Sequence, residues 1–376
     1  MVDEYAARMA YLGATHCAVV AGAISPKLSG PSLFFAGNPV RAYRHSERLS
    51  LDGNTPFEIG SITKVFNSWL FAYRGKDYAG TVGDYAKLDL PDGIANLRIE
   101  NIANYSSGFP TDNKPPIWWE RLAANDRPLS PRDLVSGLRG KQLPQCAPGQ
   151  FYSYSNFAWG LMGLATIGIE GEDRDSFAQW EAAVKELCLH IGLSENTVPA
   201  SPATALVIPA GYSGSNLVSA RYSYVRSSWT TLGGGGDLVS TGNDMMAWLT
   251  YNMGIGGRDY SLLKLQQAPR STWSQQEPPQ PALSSSSNQS SCPTPLQMAK
   301  PAVTALGWFV NKALHGDILV KNGGVAGFGS WMGFKPWVET DAPSEVGAFV
   351  LTNSGPTGNG SAADLLGNAI MRTIWS

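Results

Sequence analysis

The chain has 376 residues, roughly two to three times a common domain size, so one large domain or two coupled ones are expected. Of these residues 43% are hydrophobic and only 15% charged, and 28 Lys plus Arg nearly balance 30 Asp plus Glu for a formal net charge of −2. That balance excludes the basic excess of a nucleic-acid binder and the composition of a polyacidic disordered chain.

Residues 4–13 predict a short helix. The compact apolar run 17–24 predicts a buried strand, with 32–37 as its hairpin partner. Residues 57–60 lead into 61–70, where apolar positions recur at helical spacing. Residues 75–230 read as helical patches joined by Pro/Gly-rich loops. The glycines Gly233 to Gly236 predict a plain tight loop, and 243–253 is helical again. The stretch 271–295 is rich in Ser, Pro and Gln, so it predicts a long exposed loop. Strands are then expected at 306–310, 318–321, 330–334 and 346–353, and a closing helix at 362–374. Strands at both chain ends around a helical block predict a discontinuous α/β domain, 1–60 and 230–376, with a mainly helical domain, 61–229, inserted.

No apolar run reaches the roughly 18–20 residues of a membrane span, and the N-terminus lacks a basic and apolar signal pattern. A periplasmic or secreted protein is expected if a signal was removed, and otherwise a cytoplasmic one. The cysteines Cys17, Cys146, Cys188 and Cys292 form no CxxC pair, and their even count fits two disulfides or four reduced thiols. His16, His45, His190 and His315 show no HxxxH or HExxH spacing. No metal site and no cofactor are expected.

Ser61 and Lys64 lie three apart at the start of a predicted helix, so both side chains share one face. The free N–H groups there favour a developing oxyanion. A serine hydroxyl needs a neighbouring base, and a lysine serves as one when burial leaves it neutral. Alone, this spacing reads more readily as a capping serine and a surface lysine. Yet Val65, Phe66, Trp69 and Leu70 flank Lys64 with apolar bulk, and a buried lysine needs a partner or a task.

Three further segments carry a resemblance. The run 147–163 contains Pro148-Gly149, then Tyr154-Ser155-Asn156, then a helix punctuated by Gly160 and Gly163. Lys321-Asn322-Gly323-Gly324 is followed by Gly327-Phe328. Asn104 to Pro110, Gly234 to Met245 and Leu306 to Trp308 follow the same order along the chain. With the Ser61–Lys64 pair, they resemble the serine β-lactamase and penicillin-binding-protein superfamily, closest to its class C-like branch with D,D-peptidase and esterase relatives.

The resemblance implies a β-lactamase/transpeptidase-like fold: an antiparallel sheet flanked by helices, α/β plus all-α. It implies acyl transfer with Ser61 as nucleophile, and with Lys64 and Tyr154 sharing the proton traffic. Lys321, which with Asn156 and Asn322 binds the substrate, adds positive charge that favours Tyr154 as phenolate or a substrate carboxylate nearby, and Asn156 takes a substrate amide. The oxyanion sits between the backbone N–H groups of Ser61 and Gly324. Asn322 stands where Thr or Ser is usual, and Tyr105 where His is usual. No glutamate of the class A kind follows Asn156, and no G-x-S-x-G occurs. The expected partner is a small-molecule or peptide substrate, with no nucleic acid and no membrane span. The first expectation is a serine hydrolase of D-amino-acid peptides, D,D-carboxypeptidase or endopeptidase-like, with weak β-lactamase activity. The alternatives are an esterase or acyltransferase on small esters or thioesters, to which Asn322 tilts, and a non-catalytic binding or scaffold protein on this fold.

Overall fold

Two antiparallel sheets organise the chain. β1 (Val19–Ile24) and β2 (Ser32–Ala36) form a hairpin near its start. β3 (Pro56–Glu58), β4 (Val198–Pro199) and β5 (Leu238–Thr241) make a small sheet with β5 in the middle. β6 (Ser271–Trp273), β7 (Ala302–Thr304), β8 (Phe309–Ala313), β9 (Gly316–Val325), β10 (Phe328–Phe334) and β11 (Gly347–Thr352) follow. They complete an eight-stranded sheet in the order β6-β7-β8-β9-β10-β11-β1-β2. The first strand therefore pairs with the last, from Val19 opposite Thr352 to Ile24 opposite Gly347. The computed structural model describes residues 17–37, 40–41, 48–109, 130–141, 143–144, 146–150, 152–200, 207–214, 216–217, 230–273, 302–313, 316–336, 344–356 and 361–375. The helix expected at 4–13, positions 274–295 of the expected loop, Cys292, His16, His45 and His315 lie outside these.

Why β1 reads as an unbroken apolar run is clear from its surroundings. All six of its residues are buried, because both faces of the sheet are covered, as in helix-sandwiched sheets generally. Val19 and Ala21 pack with Trp331 and Ile370 of the closing helix, while Val20 packs with Phe66 and Trp248 on the opposite side.

The helices are α1 (Thr63–Tyr73), α2 (Pro131–Leu138), α3 (Asn156–Ile167), α4 (Ser176–Ile191), α5 (Gly242–Asn252), α6 (Tyr260–Gln267) and α7 (Ala362–Trp375). α1 is buried from Thr63 through Phe71, so its polar side chains Lys64, Asn67 and Ser68 are held by hydrogen bonds within the protein. Ser155 caps α3 by accepting from the Ala158 N–H, and Gly168 ends it in the left-handed region at φ +67°, the usual pair of helix signals.

Several expectations need correction. Of the strand expected at 306–310, only 309–310 are strand, the start of β8; 306–308 lie in the turn from β7, where Gly307 takes φ +93° against Val65 and Trp159. The first three residues of the expected 271–295 loop are β6, the edge strand of the large sheet. The cysteines follow neither expected pattern: Cys146 is disulfide-bonded, while Cys17 and Cys188 are buried free thiols.

Candidate active site

The site begins where the large sheet opens. β8 pairs with β9 only as far as Val320, opposite Phe309, whereas β10 stays paired as far as Val325. The freed edge, Lys321 to Val325, lies against the turn Gly60–Ile62 that precedes α1. Glycine on both sides permits that approach. Gly60 has φ +49°, and a Cβ there would lie 2.9 Å from the Gly324 nitrogen. A Cβ on Gly323 would lie 2.1 Å from the Ile59 oxygen and 2.9 Å from the Ser61 nitrogen. The Ser330 hydroxyl donates to the Ile59 carbonyl over 2.7 Å and ties the turn to β10.

Ser61 sits in this turn, two residues before the helix expected to contain it, and is half-buried. Lys64, on the first turn of α1, is fully buried. Its Nζ donates to Ser61 Oγ at 2.9 Å, to Asn156 Oδ1 at 2.6 Å and to the Gly235 carbonyl. A lysine ammonium has three donors, so these acceptors balance its desolvation. Tyr154, on the strand-like approach to α3, donates its hydroxyl to Ser61 Oγ over 2.7 Å. Lys64 Nζ lies 5.0 Å from the Tyr154 ring centre, and Lys321 Nζ lies 5.6 Å from it. One serine oxygen thus faces a phenol and an amine, with a second amine behind the phenol.

Lys321 is also fully buried. Burial pushes its ammonium down to about 7, against the raising influence of the nearby Asp364 carboxylate. Its Nζ donates to the Asn322 carbonyl and, at 3.5 Å, to Asn322 Oδ1. Asn322 Nδ2 donates to Asp364 Oδ2 at 3.0 Å. Asn156, expected to meet a substrate amide, has its amide oxygen on Lys64. Gly324 is exposed on the β9 edge beside Ser61. The structure therefore brings Ser61, Lys64, Tyr154, Asn156, Lys321, Asn322 and Gly324 together at the free edge of β9.

Sequence reasoning missed four contributors. The Gly233–Gly236 loop is not plain: Gly235 supplies a carbonyl to Lys64. Its glycines are required for close approach, since a Cβ on Gly234 would lie 2.5 Å from Asn67 Nδ2 and 2.8 Å from Gly163 Cα. Asn67 clamps this loop to α3, donating to the Trp159 and Gly234 carbonyls at 3.2 Å each. Its own oxygen accepts from Thr166 Oγ1 at 2.7 Å. Tyr105, expected only as scaffold, stacks directly on Tyr154. Asp364, on α7, carried no signal at all. The glycine run itself was the available clue to the first of these.

A family model described as Beta-lactamase matches residues 6–369. The chain belongs to the Beta-lactamase family. Membership of this family makes it a serine hydrolase, and its Ser61, Lys64 and Tyr154 form the hydrogen-bonded group just described. A curated Beta-lactamase from Providencia stuartii is 26% identical over 154 residues, which span 37% of this chain and 36% of that relative. A Beta-lactamase/D-alanine carboxypeptidase from Yersinia pestis, solved with citrate, superposes with a TM-score of 0.67 at 19% identity, covering 100% of this chain and 97% of the other. A class C beta lactamase from Rhodobacter sphaeroides gives 0.67 at 18% identity, covering 98% and 99%. At these identities the solved structures establish the β-lactamase-like fold of this family member. Among the described residues no helix is long and apolar enough to cross a membrane, and no group of three His, Cys, Asp or Glu could hold a metal.

Proposed function

We propose that this chain hydrolyses D-amino-acid peptides, in the manner of D,D-carboxypeptidases and endopeptidases, through an acyl-enzyme at Ser61. The observation that supports this best is the double contact on Ser61 Oγ, from Lys64 Nζ at 2.9 Å and from the Tyr154 hydroxyl at 2.7 Å. A serine becomes a nucleophile when a neighbouring base takes its proton, and here two groups stand within reach of it.

In the reacting form Tyr154 is a phenolate held between the Lys64 and Lys321 ammonium groups, and the Ser61 oxygen attacks the scissile carbonyl while its proton passes to that phenolate. Negative charge on the carbonyl oxygen is held by the N–H groups of Ser61 and Gly324, which the Gly60–Gly324 contact keeps adjacent. As the bond to the leaving amine breaks, Tyr154 returns the proton to it. The two ammonium groups flanking the phenol offset charge on its oxygen during the transfer. Water then repeats the sequence, releasing the acyl group and restoring the Ser61 hydroxyl. Asn156 and Gly235 hold Lys64 in place. We infer that the site divides a sheet-bearing body, 1–60 and 230–376, from a helical one, 61–229.

A second reading keeps this machinery and exchanges the peptide for a small ester or thioester. Asn322 favours it, because its amide is tied to Asp364 where a carboxylate-binding hydroxyl is usual in the family. Turnover of an acyl-D-alanyl-D-alanine peptide, a chromogenic cephalosporin and an aryl ester by the wild type and by Ser61→Ala tests both. Release of D-alanine that vanishes in Ser61→Ala is the expected result. Ser61-dependent turnover of the ester alone moves the assignment to the second reading, and full turnover by Ser61→Ala contradicts both.

A further inference from the structure

We propose that Asp364, acting through Asn322, makes this site prefer substrates whose leaving portion is uncharged over those whose leaving portion carries a carboxylate. This rests on the acyl-enzyme reading and narrows it: cleavage of internal D-peptide bonds and of esters is favoured over release of a C-terminal D-alanine, whose leaving amine carries a carboxylate. Tyr154 returns a proton to the leaving group, so the leaving group lies on the Tyr154 and Lys321 side of Ser61. Asn322 is the next residue along that edge, and its Oδ1 is 3.5 Å from Lys321 Nζ.

The chemistry of its two partners fixes how the Asn322 amide is turned. An ammonium only donates and an ionised carboxylate only accepts. The amide oxygen therefore faces Lys321 and the amide nitrogen faces Asp364, 3.0 Å away. Asn322 thus keeps its acceptor on Lys321 and commits its amide nitrogen to Asp364, which weakens what it offers an incoming carboxylate. Behind that acceptor stands a carboxylate. Asp364 Oδ1 is buried and has no hydrogen-bond partner among the described residues, and the Lys321 charge is already drawn toward this carboxylate. Burial raises the Asp364 carboxyl, while the Asn322 hydrogen bond and the Lys321 charge oppose that rise. An anionic leaving group entering here meets a Lys321 ammonium whose charge Asp364 already offsets in part, and a carboxylate standing beside such a site weighs against a charged partner. An amide or ester of the same shape meets no such opposition.

The test is a matched pair of aryl esters of one N-acyl-D-alanine, with 3-carboxyphenyl and 3-carbamoylphenyl leaving groups, each rate divided by its hydroxide-catalysed rate. Wild type is expected to favour the carbamoyl ester about tenfold in kcat/KM, the scale of one like-charge contact. In Asp364→Asn that ratio is expected to fall about fivefold or more, carried by KM, because the charge is removed and the shape kept. In the wild type the ratio is also expected to shrink with added salt, which tests the electrostatic origin without any variant. A ratio near one, a preference for the carboxyl ester, or a ratio unchanged in folded Asp364→Asn overturns the proposal while leaving the acyl-enzyme reading standing. Absence of Ser61-dependent turnover of both esters overturns that reading, and the proposal with it.

Discussion

Tyr105 lies flat on Tyr154, with ring centres 5.4 Å apart and planes within 9°. Phe309 also stacks on Tyr105, at 4.8 Å and 13°, and the Tyr105 hydroxyl donates to the Gly307 carbonyl over 2.6 Å. Tyr105 itself takes φ +62°, a backbone state that bulky residues hold only when their surroundings impose it. The Ser153 N–H also donates to the Tyr105 carbonyl at 2.7 Å. The phenol facing Ser61 is thus held by a stack that does not involve its own hydroxyl.

That separation makes Tyr154→Phe a clean test of chemistry. The ring and its stack remain, so folding and substrate KM are expected to change little. The maximal rate is expected to fall by about 10²-fold or more, the usual scale for losing a general acid–base group. Steady-state kinetics on an aryl ester read this directly. An unchanged rate would place the whole proton traffic on Lys64.

The glycine loop allows a structural prediction. Gly234→Ala puts a methyl group 2.5 Å from Asn67 Nδ2 and 2.8 Å from Gly163 Cα. One of these contacts is backbone and the other is a buried, doubly bonded amide, so neither yields freely. Overpacking of this kind typically costs about 1–3 kcal/mol. Activity is expected to drop alongside stability, because the displaced neighbour, Gly235, holds Lys64. Chemical denaturation together with kcat checks both. A variant of wild-type stability and rate would mean that the loop is looser than its contacts indicate.

Much of this was legible beforehand where the signal is local. The Ser61–Lys64 spacing, the apolar wrap of α1 and the Tyr154–Asn156 segment each lie within a few residues, where helix geometry converts spacing into contact. Contacts between distant segments were not legible. Nothing near Asn322 announces that Asp364, 42 positions later on another element, fixes its amide. Likewise, no local pattern separates Ser271–Trp273 from the loop it begins, because its strand character comes from pairing with Ala302–Thr304. Backbone acceptors such as the Gly235 carbonyl are common to all residues and carry no side-chain signature.

Asp237 gives a prediction in pH. It is buried, its Oδ1 accepts from Trp180 Nε1 at 3.2 Å, and its Oδ2 has no partner among the described residues. Burial pushes its carboxyl up to about 7. Between about pH 4 and pH 7 the unfolded chain gives up this proton and the folded chain keeps it, so stability falls as pH rises through that window. The loss is on the order of 4 kcal/mol and persists above it. Asp237→Asn keeps the shape and removes the titration. Its Tm is expected to match the wild type near pH 4 and to exceed it at pH 8. A difference between the two that stays constant with pH would contradict the assignment.

The central claim is that Ser61 is the atom acylated. Its most direct measurement is intact-mass analysis with peptide mapping after brief exposure to a penicillin and to an activated aryl ester. The account predicts one acyl adduct per chain on the peptide containing Ser61, absent in Ser61→Ala. An adduct on any other residue, or one formed equally by Ser61→Ala, would contradict it.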